Sequence, residues 1–298
     1  MVIIKKGYKF MKDIKILVDT SADMPAELAE KYNIGVIPFL SIFGEETYVA
    51  GVNLTNEEFF EKLEASEQIP TTSQTPYGDM YDYLLKEVKE HDTVIYFTIS
   101  GKASGQNHSA NLAAEEVRED YPEADLHIVD TETFSLYIAA TAIYAHGLIE
   151  QGADTDEVIA KSKEYLKTWK AYLLVDTLKY LEKGGRITKA TAVVGTLLDI
   201  KPILGVQDGL IGNIDKIRGK KKLVDKLIEV VTEDEAFNSE NPEFLIVHSD
   251  DKRGLETKEK LEEAYGEGCV KIYNRFGPIV GTHVGPGGFA IISKVKPQ

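Results

Sequence analysis

Four short segments concentrate the residues able to handle an anion. Thr71-Thr72-Ser73-Gln74-Thr75-Pro76 is a run of small donors ahead of a helix-forming stretch; such a run either caps the helix or binds an oxyanion at its N-terminus. Ser100-Gly101-Lys102-Ala103-Ser104-Gly105-Gln106 poses the same choice, because a Gly/Ser loop between strand and helix turns backbone N–H groups toward any anion placed there. Lys183-Gly184-Gly185-Arg186 sets a guanidinium directly after two glycines, which fits either a tight helix exit that aims the side chain or an ordinary surface arginine. Thr282-His283-Val284-Gly285-Pro286-Gly287-Gly288 puts a histidine in a glycine-rich loop, as a donor to a ligand or as a packed turn residue. Loops on rigid scaffolds are where functional residues tend to sit.

The usual catalytic signatures are missing: the chain has no Gly-x-x-x-x-Gly-Lys-Ser/Thr loop, no His-Glu-x-x-His and no Gly-x-Ser-x-Gly elbow. His91, His108, His127, His146 and His248 share no common spacing, so no metal site is expected. The single cysteine, Cys269, excludes an intramolecular disulfide. Its apolar surroundings mark a buried structural thiol, and a reducing cytoplasm fits. A net charge of −15 argues against a nucleic-acid partner, whose phosphates need basic clusters. The densest cationic run, Lys220-Lys221-Lys222, reads as the solvated start of a helix. Apolar runs fall short of the ~18 residues that a membrane span requires, and the N-terminus lacks a signal-peptide core. A soluble, unexported protein is expected, whose acidic surface limits it to transient membrane contact at most. The basic opening stretch, residues 1–12, is left out of the fold.

The elements that must carry these segments follow from length and patterning: 298 residues with 43% hydrophobic content supply two cores. Strands are expected at 14–18, 34–43, 94–99 and 126–129. Helices are expected at 25–32, after the Thr55-Asn56-Glu57-Glu58 capping box, and at 77–89, 108–118 and 135–151. This alternation predicts a parallel sheet covered on both faces, with ligands at the carboxyl ends of its strands. Asp19 to Ser21, Ser100 to Ser104 and Asp130-Thr131 should therefore share one rim. Beyond a helix at 156–169, strands are expected at 171–175, 202–206, 210–217, 243–247, 270–273 and 289–295, with a hairpin turn at Asp208-Gly209. The expected fold is α/β with two domains: a parallel-sheet domain over 13–168, and a domain with a mixed, largely antiparallel sheet and helices on one face over 169–298.

Taken in order, the segments resemble the DegV family: Asp19-Thr20-Ser21-Ala22-Asp23-Met24-Pro25, Thr72-Ser73-Gln74, Ser104-Gly105, Val129-Asp130-Thr131, Leu181-Glu182-Lys183-Gly184-Gly185-Arg186-Ile187, Ile200-Lys201-Pro202-Ile203 and Gly281-Thr282-His283-Val284-Gly285-Pro286-Gly287. The resemblance implies a two-domain α/β carrier, not an enzyme, with a long-chain fatty acid held between its domains and no cofactor. It further implies that the fatty acid's carboxyl group is offered to a separate kinase subunit, which makes acyl phosphate for phospholipid synthesis. By position it assigns the carboxylate to Thr72, Ser104, Gly105 and His283. Thr20, Ser21, Ser73, Gln74, Arg186 and Thr282 fall to support or partner docking. The chain departs from the family at Gly101, where a second serine is usual, and at Gln106-Asn107, in place of a Thr-Tyr pair; Gln106 is placed to alter hydrogen bonding around the head group.

These residue types suit the task, because a carboxylate removed from water must recover its hydrogen bonds, and hydroxyls and backbone N–H groups supply them without adding charge. His283 can donate whether neutral or protonated. The acyl tail contributes more than the head group: at ~0.8 kcal/mol per buried methylene, a dozen carbons contribute on the order of 10 kcal/mol before ordering costs. Two other classes compete. One is a serine hydrolase with Ser104 as nucleophile, His283 as base and Asp19 or Asp130 orienting it. The other is a sensor of a small anion, which requires a small polar pocket in place of an apolar tunnel.

Overall fold

The computed structural model describes residues 13–188, 200–219 and 221–296. Residues 1–12 and Lys220 of the lysine run lie outside the described residues. Strands β1 (Ile14–Asp19), β2 (Ile34–Ile37), β6 (Thr93–Thr98) and β7 (Leu126–Asp130) pair in parallel in the order β2-β1-β6-β7. β6 is buried along its whole length, as a central strand covered on both faces must be. The connections run through α1 (Ala26–Lys31), α2 (Asn56–Ala65), α3 (Tyr77–Glu90) and α4 (Gln106–Asp120). α2 starts at the expected capping box: the Glu58 N–H donates to Thr55 Oγ1 (3.2 Å) and the Thr55 N–H to Glu58 Oε2 (2.9 Å).

The single strand expected at 34–43 is two strands in two sheets. Pro38 has no N–H to give a ladder, so β2 stops before it and the chain turns away. β3 (Leu40–Phe43) then joins β4 (Glu46–Val49) and β5 (Thr71–Ser73) in an antiparallel sheet of order β4-β3-β5. The threonine-rich segment, read from sequence as a loop, is thus partly a strand, with Thr72 paired to Ser41.

α5 (Leu136–Glu150) is apolar nearly all round, which marks a helix buried on every side. It packs on β1 and β6 and also reaches β11 (Phe244–His248) of the second sheet. α6 (Thr155–Leu166), capped by Asp154, ends earlier than expected. Trp169, expected at the helix end, instead opens β8 (Trp169–Leu174) by pairing with Lys294.

The second sheet has the order β10-β9-β8-β13-β11-β12, with β9 (Ile200–Gln207), β10 (Leu210–Arg218), β12 (Val270–Arg275) and β13 (Phe289–Lys294). Its pairs are antiparallel except β11 with β12, the mixed, largely antiparallel sheet that the sequence predicts. The β9–β10 turn falls on Asp208 (φ 49°) and Gly209 (φ 74°), the left-handed pair that a two-residue hairpin requires. Alternation along these strands sends Tyr172, Leu174, Ile203 and Ile291 to one face, under α8 (Leu223–Glu233) and α9 (Asp251–Tyr265). Ala171, Leu173, Leu204 and Ile292 go to the other, toward α5. The fold is α/β with two domains. Among the described residues no helix is long and apolar enough to cross a membrane.

Candidate functional site

A cavity lies on the α5-facing side of the six-stranded sheet. Ala171, Leu173, Val206, Val247, Ala290 and Ile292 form its floor, while Phe39, Ile99, Phe134 and Tyr137 from the first half of the chain close it from above. The empty space between the lining atoms, mouth included, is about 820 Å3. Almost every lining group is apolar. The exceptions include Thr72, Ser104, Arg186 and His283, which the sequence had singled out from four separate segments.

Each of these is positioned by identifiable contacts. Thr72 is held in β5 by its pairing with β3, and its Oγ1 lies 3.3 Å from His283 Nε2. His283 belongs to a helix, α10 (Pro278–Val284), where the glycine-rich sequence suggested a loop. Pro278 at the first helical position and Gly285 (φ 76°) just past the last one bracket it, the N-terminal proline and C-terminal glycine asymmetry of helices. Gly281 lets α10 approach the Phe59 and Phe60 rings, which a Cβ there would meet at 2.9 Å. α7 (Lys179–Gly184) supplies the other side: a Cβ on Gly184 would stand 2.1 Å from His283 Nδ1, so only glycine lets the ring lie there.

Arg186 leaves α7 through Gly185 (φ 69°), and its guanidinium is tethered twice, Nε donating to the Ala103 carbonyl (2.8 Å) and Nη1 to the Gly184 carbonyl. It is the one charged side chain among the described residues lining the cavity. Burial, with the Arg186 charge as a second cause, pushes His283 down to about 4. The imidazole is therefore neutral at pH 7, and its Nδ1 is buried without a hydrogen-bond partner among the described residues. The expectation that His283 donates in either protonation state narrows to the neutral form, and the positive charge at the head of the cavity comes from Arg186.

The serine loop sits at the rim. The Gln106 N–H donates to Ser104 Oγ (3.2 Å), leaving the Ser104 proton available to an acceptor, and Gly105 is exposed. Gln74 packs against Gly105, where a Cβ would fall 2.1 Å from Gln74 Oε1. Gln106 itself does not line the cavity. It is fully buried, its Nε2 donating to Thr75 Oγ1 and to the Tyr96 oxygen (2.9 Å each) while its Oε1 accepts the Thr75 N–H (3.0 Å). Tyr96 donates on to Asp19 (3.2 Å), whose carboxyl burial pushes upward.

The remaining sequence candidates support rather than line the cavity. Thr20 Oγ1 accepts the Phe39 N–H (3.0 Å), Ser21 bonds to Asp19, Ser73 Oγ donates to the Gln74 carbonyl (3.3 Å), and Thr282 Oγ1 donates within α10 to Pro278 (2.7 Å). The three strand-end segments do meet: Asp19 accepts the Ile99 N–H (3.1 Å) and Asp130 the Gly101 N–H (3.1 Å). The opening motif includes Asp23, to which sequence reading gave no role; it joins the halves of the chain. Its Oδ1 accepts the Gly277 N–H (2.7 Å) at the start of α10, its Oδ2 the Ser135 hydroxyl, and its carbonyl Asn274 Nδ2 (2.7 Å). Burial pushes its carboxyl up to about 7.

The hydrolase arrangement is not assembled. No carboxylate meets His283 Nδ1 among the described residues, Asp19 is committed to Ser21, Tyr96 and Ile99, and Asp130 to the Gly101 and Glu132 amides. Among the described residues, the grouping within metal-ligand reach of one another is Glu87, Glu90 and His91, none of which lines the cavity.

The chain's relatives agree with this architecture. Residues 13–295 match the model of a family described as an uncharacterised protein, DegV family. The fatty acid-binding protein of Thermotoga maritima is 35% identical over 286 residues, covering 93% of this chain and 97% of its own. Protein DegV of Bacillus subtilis is 33% identical over 281 residues, 94% of this chain and 98% of its own. The crystal structure of a stearic acid-binding protein from Eubacterium ventriosum superposes with a TM-score of 0.85 at 25% identity, over 95% of this chain and 98% of that one. With the motifs in family order and the match running from β1 to the residue after β13, the chain belongs to the DegV family.

Proposed function

We propose that this protein is a carrier that binds one long-chain fatty acid, with its tail in the cavity and its carboxylate at the rim. The observation that carries this reading is the division of the cavity: apolar walls throughout, and at one place a tethered guanidinium beside Thr72, Ser104 and a neutral imidazole. An apolar lining is the reverse of what a small-anion sensor needs. Relatives named for fatty-acid binding, in whole-length alignment, support the ligand class. In this reading the domains are residues 13–168 and 169–298 and the ligand lies between them. Thr72 and Ser104 bond the carboxylate, the Gly105 N–H adds a donor, and Arg186 balances the charge.

The rim residues Thr72 and Ser104 are partly exposed, and Gly105 is exposed, which leaves the carboxyl end within reach of another protein. We accordingly propose that a separate fatty acid kinase subunit phosphorylates the bound acid, in the cytoplasm, to feed phospholipid synthesis. The test is mass spectrometry of small molecules released on denaturing the purified protein, beside a Thr72→Ala/His283→Ala double variant. A stoichiometric long-chain fatty acid in the wild type, reduced in the variant, is expected; no lipid in either, even after incubation with fatty acid, overturns the reading. For the hand-off, acyl phosphate should form from the loaded protein and ATP only once a kinase subunit is added.

A further inference from the structure

α10 forms one wall of the cavity, which Ile279, Val280, His283 and Val284 all line. Near its C-terminal end it meets the first half of the chain through His283 and Thr72, a contact that at 3.3 Å is long for a hydrogen bond. That contact is too loose to fix the ring by itself. The tight connections lie at the other end, and they converge on Asp23. Its Oδ1 accepts the Gly277 N–H, directly before α10, and its carbonyl oxygen accepts Asn274 Nδ2 from β12, both at 2.7 Å.

Asp23 is itself held in place. Ser135, the residue before α5, donates its hydroxyl to Oδ2 at 2.5 Å, and the Ser135 N–H is bonded to the Ser21 carbonyl (2.8 Å). Asp23 (φ 49°) and Ser135 (φ 62°) both carry a positive φ without being glycine. Such a conformation costs on the order of 1–3 kcal/mol and persists only where its surroundings over-determine it. Gly277 completes the fit, since a Cβ there would meet Asp23 Oδ1 at 3.0 Å and Asn56 Oδ1 at 3.4 Å. A buried carboxyl is unfavourable unless it is hydrogen-bonded, and apolar packing would join the halves of the chain without that cost. What apolar packing lacks is direction: a carboxyl with both oxygens engaged fixes where Gly277 stands.

We infer that Asp23 is a positioning residue for the head group: it sets the position of α10 and thereby places His283 beside Thr72. The inference rests on the fatty-acid reading. His283 stands six residues beyond Gly277, roughly 9 Å along a helix at about 1.5 Å per residue. So short a helix moves as a unit, and a shift at Gly277 carries through to the imidazole.

The experiment takes two readings on the delipidated full-length protein: affinity, by displacement of a fluorescent fatty acid, and the His283 midpoint, by NMR. Asp23→Ala should bind about tenfold or more weakly, the effect of losing a hydrogen bond to a charged group. Its His283 midpoint should rise from about 4 toward the ordinary value of about 6.5 as water reaches the displaced ring. Asp23→Asn should stay close to the wild type in both readings, because its Oδ1 still accepts from Gly277 and its Nδ2 can donate to the Ser135 oxygen. Asn274→Ala removes the second tie without touching Asp23 or the cavity lining. It should move both readings the same way by a smaller amount, and it decides the matter alone if Asp23→Ala does not fold. Val231→Ala, buried in α8 on the other face of the sheet, supplies a merely structural loss of stability and should leave both readings unchanged. Folded Asp23→Ala and Asn274→Ala variants with wild-type affinity and a His283 midpoint still near 4 overturn this inference and leave the carrier reading standing. An Asp23→Asn variant as weak as Asp23→Ala does the same, because it assigns the effect to charge. A wild type that binds no fatty acid overturns the carrier reading, and this inference with it.

Discussion

The rim and the floor of the cavity are built by opposite means. The floor is one face of a sheet, where alternation alone sends Ala171, Leu173, Ala290 and Ile292 inward, and neighbouring apolar groups can substitute for one another in contact with a tail. The rim is assembled from β5, the serine loop, the α7 exit and α10, each fixed by a particular hydrogen bond or a particular glycine. In the proposed carrier the floor would therefore govern how much surface the ligand loses to water, and the rim where its carboxyl end sits. Tolerance to substitution should differ accordingly.

The largest expected difference is between two swaps of similar size. Gln106→Leu leaves the Thr75 N–H and the Tyr96 oxygen without the partner they have now, and a stranded buried polar group costs about 1–3 kcal/mol. Unfolding in urea should show a loss of about 2–3 kcal/mol, with weaker ligand binding as the strand bearing Thr72 loosens. Ile292→Leu on the floor keeps its volume and should cost less than about 1.5 kcal/mol. Equal losses from the two swaps would erase the contrast.

A smaller effect, read in ligand binding, is expected at Arg186. Arg186→Ala removes the only charge lining the cavity among the described residues, and a hydrogen bond to a charged group contributes about 1.5–3 kcal/mol. Displacement of a fluorescent fatty acid should report about a tenfold to hundredfold weaker affinity. Arg186→Lys should recover little of it, since a point charge cannot hold the Ala103 and Gly184 carbonyls and a carboxylate at once. Full recovery by lysine would mean that the tethers do not matter.

How far the sequence revealed this arrangement follows the same division. The two sheets were legible because strand periodicity and the Asp208-Gly209 turn are local signals. The rim residues were legible as types, yet their roles were not, since a role depends on contacts between distant segments. Gln106 looked like a change at the head group, whereas its three bonds tie down Thr75 and Tyr96. His283 looked like a loop residue because glycines surround it, although Pro278 and Gly285 carry the start and stop signals of a short helix. Asp23 stood in the opening family motif, but nothing local gave its role, since it is a buried acid whose partners lie 112 and 254 residues away.

The prediction that most sharpens the contrast is the titration of His283. An ordinary histidine midpoint is about 6.5; burial and Arg186 hold this one at about 4. Between those values the unfolded chain binds a proton that the folded one refuses, so the His283 contribution to stability is intact above about 6.5 and is lost as the pH falls toward 4. Asp23, pushed up to about 7, acts in the other direction, with stability lost as the pH rises from its unfolded value through 7. A comparison of wild type with His283→Asn cancels Asp23, and the stability gap between the two should change only in the window from about 6.5 to 4. A carboxylate placed beside the imidazole favours its charged form. NMR should therefore find the His283 midpoint near 4 in the delipidated protein and higher in the loaded one; a midpoint that ignores the ligand would place the carboxyl group elsewhere than at this rim.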